Sequence, residues 1–134
     1  MKLNFKQSLN AGLLSAVIAA LINAVLFFAF RAAGVLTDDI FIQPETTLTI
    51  APVLISSCMT SIVGSIVFFL FEKYSAKGFR NFLILSVVFL LLSFISPFNI
   101  PNVTTGFAVV LNLMHIVVAL VLVSMISRKI KSNA

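Results

Sequence analysis

Residues 107–126 read FAVVLNLMHIVVALVLVSMI, an apolar run that is long enough to cross a bilayer as a helix. The run contains Asn112 and His115, which lie about one helical turn apart and therefore share a helix face. His115 is the only histidine of the chain. Because ionisable side chains are costly inside a membrane and are often functional there, this face is the first candidate for a site.

The composition indicates a membrane protein rather than a soluble domain. Of the 134 residues, 60% are hydrophobic and only 10% are charged, and the mean hydropathy is +1.17. A soluble domain usually carries about 25% charged residues. The core of a soluble domain of this size could not bury so many apolar residues. We therefore expect lipid to surround most of the apolar surface.

Three further apolar runs complete the pattern, and each is punctuated by residues that end helices. Gly34 follows the first run, Gly78 separates the second from the third, and Pro97 and Pro101 end the third, which is the shortest. We predict one all-α domain over residues 1–134, an integral membrane four-helix bundle. Its predicted spans are about 9–30, 51–71, 82–98 and 106–127.

The basic residues predict the orientation of this bundle. Four spans place eight of the nine basic residues on one side, and only Arg31 falls on the other. The positive-inside rule then puts both termini in the cytoplasm. We therefore interpret the net charge of +5 as a topology signal and expect no nucleic acid as partner. The eight residues are Lys2, Lys6, Lys73, Lys77, Arg80, Arg128, Lys129 and Lys131.

Small residues recur at helical spacing on the first two runs and predict which helices meet. The first run repeats them at Gly12, Ala16, Ala20 and Ala24, and the second at Ser57, Ser61 and Ser65. Small side chains let helix backbones approach closely, which matters in lipid because no hydrophobic force drives helices together there. We therefore expect the first helix to pack against the second.

Polar side chains within the runs are the candidate site residues. At about 1.5 Å of rise per residue, Asn23 and Asn112 lie at about the same depth below the outer surface, with His115 one turn deeper. These side chains either form interhelical hydrogen bonds alone or line a polar ligand pocket that opens toward the acidic outer side. The candidate ligand-binding residues are Asn23, Ser57, Thr60, Ser61, Ser93, Asn112 and His115.

The longest connection, residues 34–50, mixes acidic and apolar side chains. It either rests its apolar residues at the membrane interface or covers the outer end of the bundle as a lid.

The chain lacks the residues that several functions would require. Small four-helix multidrug exporters resemble this chain in size and topology, but their proton coupling rests on a membrane-embedded glutamate. The predicted spans hold no carboxylate, and the corresponding region offers only Asn23. Cys58 is the only cysteine, so it has neither a disulfide partner in the chain nor a second thiol for a metal. We expect no enzymatic activity, no catalytic residue, no metal and no cofactor.

Short segments throughout the chain carry a resemblance to a known family. They are Asn23, Arg31-Ala32-Ala33-Gly34-Val35, Gln43-Pro44-Glu45, Val53-Leu54, Ser93, Ser96-Pro97 and Leu113-Met114-His115. In this order the chain resembles a family of small four-pass bacterial membrane proteins of unknown function. The resemblance implies a four-helix bundle in the bacterial cytoplasmic membrane, and it implies no activity and no catalytic residue.

Two functions of different class remain open on the sequence. The first is an accessory or structural membrane component that acts through helix contacts, with membrane lipid and either a partner membrane protein or a second copy as partners. The alternative is a small-molecule binding or transport protein with an outward-facing polar pocket near Asn23, Asn112 and His115. A closed, fully hydrogen-bonded contact between helices favours the first, and a cavity with unpaired polar groups favours the second.

Overall fold

Four long helices account for most of residues 2–134, which are the residues that the computed structural model describes. Counted with the short 3-10 turn that follows α3, all four are long and apolar enough to cross a membrane. This confirms the prediction of a mostly helical chain with four long apolar helices. The elements are α1 (Phe5–Ala32), β1 (Phe41–Gln43), β2 (Thr46–Thr47), α2 (Ile50–Tyr74), α3 (Gly78–Ser93), the 3-10 turn (Ser96–Asn99) and α4 (Thr105–Ser132).

Local hydrogen bonds define both ends of α1. At its start, the Asn4 side chain accepts from the backbone N–H of Gln7 at 2.9 Å. The Gln7 side chain accepts from the backbone N–H of Asn4 at 3.0 Å, which completes a capping box. At its end, Gly34 adopts φ 75°, and Val35 N donates to Phe30 O at 2.9 Å. This is a Schellman motif, which favours glycine because its left-handed residue strains any side chain.

The α1–α2 contact is the most extensive between any two helices, and α1 packs next against α4. Small buried residues make this possible: an ideal Cβ at Gly12 would lie only 2.5 Å from Ser65 Cβ. The predicted packing of the first helix against the second is therefore confirmed. The other buried small residues of the two repeats are Ala16, Ala20, Ser57 and Ser61.

Helix α3 is the least packed of the four helices. It buries two residues, Gly78 and Phe82, and both lie in its first turns. Phe82 packs edge-to-face on Phe68 of α2, with ring centroids 5.4 Å apart. The rest of α3 stands away from the bundle and leaves space beside α2 and α4.

The connection between α1 and α2 folds over one end of the bundle, which we call the loop end. It contains an antiparallel pair of short strands, β1 and β2. Leu36, Ile40 and Leu48 are buried against side chains of α1, α2 and α4. Arg31 and Asp38 form an exposed salt bridge of 2.7 Å beside it. These residues of the connection therefore cover the loop end, while Phe41 of the same connection stays exposed.

Candidate functional site

A cavity of about 700 Å³ lies between α2, α3 and α4. Its volume falls within the range of about 300–1,000 Å³ that is typical of small-molecule sites. Its wall is mostly apolar, and among residues 2–134 no Asp, Glu, Lys or Arg contributes to it. The polar wall residues are Asn23, Ser56, Ser57, Thr60, Ser86, Ser93 and His115.

Asn23 ties three helices together at the cavity wall. Its Nδ2 donates from α1 to Ser57 Oγ of α2 at 2.9 Å and to the Met114 carbonyl oxygen of α4 at 3.3 Å. Ser57 Oγ in turn donates to Val53 O at 2.8 Å. Within the described part of the chain, the buried Asn23 Oδ1 has no hydrogen-bond partner. Asn23 therefore places a buried acceptor without a partner in the cavity wall.

Like Ser57, the three other wall serines donate their hydroxyl protons within their own helices. Ser56, Ser86 and Ser93 each donate to a carbonyl oxygen of their own helix, at 3.2, 2.8 and 2.7 Å respectively. A serine hydroxyl has one proton and two lone pairs. What these three residues can still offer to a ligand is an acceptor oxygen.

His115 borders the cavity as a half-buried side chain of α4. Its Nδ1 is buried and forms no hydrogen bond to any of residues 2–134. A neutral imidazole has one donor and one acceptor nitrogen, so it can adapt its tautomer to the group that faces it. His115 is therefore the most adaptable polar group of the wall.

The structure brings most of the predicted site residues to this one cavity. Asn23, Ser57, Thr60, Ser93 and His115 line it, whereas Ser61 and Asn112 do not. Ser61 is fully buried at the α1–α2 contact, where its carbonyl oxygen is 3.1 Å from an ideal Cβ at Gly12. Asn112 turns toward the end of α3, and its Nδ2 donates to Phe94 O at 3.3 Å.

The opening of the cavity lies on the side of the bundle. The most exposed large apolar residues of its wall are Met59 and Val63 of α2, 56% and 50% exposed, and Phe89 of α3, 63% exposed. At the loop end, the buried Leu48 forms part of the wall. The sequence led us to expect an opening toward that end, but the exposed wall residues follow the gap between α2 and α3.

Comparison with known proteins gives a match over nearly the whole chain. A family of unknown function, DUF6069, matches residues 4–132. The chain belongs to this family. The resemblance found in the sequence is thereby confirmed, and the match to DUF6069 includes all four helices. No curated protein and no solved structure matches the chain. Because DUF6069 has no assigned activity, the function is argued from the cavity.

Sequence reasoning missed two wall residues and one buried acid. The spacing of seven residues places Ser86 on the same face of the third helix as Ser93, but only Ser93 was included among the candidate residues. Ser56 lies one turn before Thr60 and could have been found in the same way. The predicted spans hold no carboxylate, but α2 continues past the second predicted span to Tyr74 and includes the buried Glu72. Glu72 lies against Gly78, outside the cavity wall.

Proposed function

We propose that this protein spans the bacterial cytoplasmic membrane four times and binds a neutral, mostly apolar small molecule between α2, α3 and α4. The ligand carries a hydroxyl or N–H group that donates a hydrogen bond to the wall. One observation carries this proposal: the wall of the cavity of about 700 Å³ is mostly apolar and uncharged, and it includes Asn23, whose buried Oδ1 has no partner in the described chain. The role is one of binding or transport, not of catalysis.

The wall chemistry supports a neutral ligand. A charged group in this cavity would lose its hydration and meet no opposite charge among the described wall residues, which is unfavourable by many kcal/mol. A hydroxyl or amide N–H would instead satisfy Asn23 Oδ1 or a serine oxygen. A buried acceptor without a partner costs about 1–3 kcal/mol, so a donor at this place gains affinity.

The opening between α2 and α3 supports a route from the bilayer. In a membrane, the exposed Met59, Val63 and Phe89 would face lipid acyl chains. A lipophilic molecule is already concentrated there and reaches the cavity without crossing the covered loop end. We therefore expect lateral access to the site.

Photolabelling tests the binding proposal. The protein in proteoliposomes is exposed to diazirine-bearing hexadecanol, and the labelled peptides are identified by mass spectrometry. Hexadecanoic acid and hexadecylamine with the same diazirine serve as charged probes of equal chain length. We expect the alcohol to label cavity residues of α2, α3 and α4 more strongly than either charged probe. Equal labelling by all three probes would contradict a site selected for neutral donors.

A pair of matched substitutions locates the labelling. Ala119 lines the cavity and Ala29 is an exposed residue of α1 outside it. Ala119→Phe fills the site and should remove most of the labelling by the alcohol, whereas Ala29→Phe should leave it unchanged. The melting temperatures of both variants are measured alongside. A folded Ala119→Phe variant with full labelling would exclude this cavity.

The topology is part of the same proposal. The eight basic residues near the termini and near the α2–α3 connection support cytoplasmic ends by the positive-inside rule. A reporter that is active only in the periplasm, fused after Ala134, should give no signal, and fused into the β1–β2 turn it should give a strong one. The reverse pattern would show the opposite orientation.

The second candidate is an accessory component that acts through helix contacts. The sparse packing of α3 favours it, because Ile84 and Val88 leave an apolar face without a partner in the described chain. Val88→Cys in a Cys58→Ser background tests it. Disulfide-linked copies that form in the native membrane, together with absent labelling of the cavity, would favour this second role.

A further inference from the structure

A second concave surface lies between α1 and α4. It shares no lining residue with the α2–α3–α4 cavity and, unlike that cavity, includes basic side chains. We call it the α1–α4 groove, and its volume is about 580 Å³. Leu13, Leu14 and Val17 form its α1 side, and Met125 forms part of its α4 side. These apolar residues make a surface on which a hydrocarbon chain can lie.

The polar residues of the α1–α4 groove are all at one end. Asn10 precedes the apolar lining residues on α1, and Arg128, Lys129 and Ser132 follow Met125 on α4. From Asn10 to Val17 the helix rises about 10 Å, since each residue adds about 1.5 Å. Over that distance the groove changes from basic to apolar, which is the order of groups from the headgroup to the acyl chain of a phospholipid.

The two basic side chains are available for an external anion. In the part of the chain that the structure describes, the one salt bridge joins Arg31 to Asp38. No Asp or Glu contributes to the described lining of the groove. An arginine fork binds phosphate oxygens in pairs, and a lysine adds a mobile point charge.

We propose that the α1–α4 groove binds one anionic phospholipid. Its phosphate contacts Arg128 and Lys129 with help from the Asn10 amide, and the start of one acyl chain lies along Leu13, Leu14 and Val17. This proposal shares the membrane location proposed above but does not depend on the ligand of the α2–α3–α4 cavity. Basic pockets between membrane helices are suited to such headgroups because both charge and chain are matched.

Native mass spectrometry of the purified protein in a neutral detergent tests the proposal. Dioleoyl phosphatidylglycerol and dioleoyl phosphatidylcholine share their acyl chains and differ in charge, so they are titrated in parallel. We expect the first phosphatidylglycerol to bind more tightly than phosphatidylcholine. The Arg128→Gln/Lys129→Gln variant should bind it about thirtyfold more weakly, since each basic residue near an anionic lipid contributes about fivefold.

A charge-matched control separates the groove from general basicity. Lys73→Gln/Lys77→Gln removes the same charge at the α2–α3 connection and should keep the tight first site. Val17→Trp fills the groove, keeps both charges and should weaken phosphatidylglycerol binding as well. Equal losses in the two double variants, or full binding by Val17→Trp, would overturn the proposal.

The source of the phosphate and the independence of the two sites are checked with the same protein. Glycerol 1-phosphate carries the anionic group without the chains and should not displace the lipid; displacement at equal concentration would mean a soluble-anion site and would refute a lipid site. Labelling of the α2–α3–α4 cavity by the hexadecanol probe should be unchanged in Arg128→Gln/Lys129→Gln. Lost lipid preference with intact labelling supports two separate sites, and joint loss of both contradicts it.

Discussion

The close approach of α1 to α2 at Gly12 leads to a quantitative stability prediction. An ideal Cβ at Gly12 would lie 2.5 Å from Ser65 Cβ and 3.1 Å from Ser61 O. Gly12→Ala must therefore push two helices apart, which costs about 1–3 kcal/mol. Alanine regains about 1 kcal/mol through its better helix propensity. The clash involves Ser65 Cβ as well as Ser65 Oγ, and rotation of the side chain does not move Cβ, so we expect the upper part of the range and a net loss of about 2 kcal/mol.

A second substitution at the contact should recover part of this loss. Ser65→Gly removes both Ser65 side-chain atoms that a Cβ at residue 12 would meet, and leaves only Ser61 O nearby. Alone, Ser65→Gly is destabilising because glycine is a poor helix former. Combined with Gly12→Ala, it should show a favourable coupling energy of about 1–2 kcal/mol, as expected for residues in direct contact.

The single cysteine supplies the assay. Cys58 is half-buried in α2, and its Sγ lies 3.9 Å from the Ala16 carbonyl oxygen of α1. A maleimide dye that fluoresces on reaction should label it when α1 and α2 separate on heating. A loss of about 2 kcal/mol should lower the melting temperature by roughly 8 °C for a chain of this size.

Gly106→Ala is the matched control, because a Cβ there would meet only Val35 Cγ1, at 3.2 Å. Its melting temperature should stay close to that of the wild type. The reasoning is refuted if Gly12→Ala has the same melting temperature as the wild type. It is also refuted if adding Ser65→Gly to Gly12→Ala recovers none of the lost stability, because close backbone approach would then not hold α1 against α2.

Three further substitutions test local features with the same melting assay. Gly34→Ala should cost about 1 kcal/mol, because φ is 75° and no atom lies near the new Cβ, so only backbone strain counts. Glu45→Gly should stabilise the β1–β2 turn by up to about 1 kcal/mol, because Glu45 has φ 59°. Asn23→Ala removes the bonds to Ser57 and Met114 and should cost about 1 kcal/mol, at about 0.6 kcal/mol for each interhelical bond. Unchanged melting in any of the three would refute the corresponding reason.

The features that the sequence predicted depend on local pattern. The number of long apolar helices follows from the lengths of the apolar runs, and the α1–α2 contact follows from small residues every fourth position. The second predicted span ends at residue 71 because hydropathy falls there, and α2 itself continues to Tyr74. A helix ends where its backbone hydrogen bonds end, not where its hydropathy falls. A polar residue in its last turn can still be buried by the chain that follows, as Glu72 is buried beside Gly78.

The site could be predicted only in part. The depth of a residue along a helix does not determine how that helix is rotated about its axis, and the rotation decides which neighbour a side chain faces. Asn112 and His115 were placed correctly on one face of α4, but that face is wide enough to meet more than one neighbour. Asn112 reaches Phe94 at the end of α3, while His115 faces the cavity. Ser61 follows Ser57 by four residues, yet only Ser57 reaches both the α1 contact and the cavity wall.

The position of the cavity follows from how α3 is held. Near its start, Phe82 packs on Phe68 of α2; just after its end, Phe94 accepts a hydrogen bond from Asn112 of α4. Between these two contacts, α3 presents the large side chains of Leu85 and Leu90 to the cavity and buries none of its residues. Helices α1 and α2 carry small residues instead and close on each other. An element with few packing contacts opens at low free energy. We therefore expect α3, attached at both ends and loosely packed between them, to be the wall that moves when a molecule enters between α2 and α3.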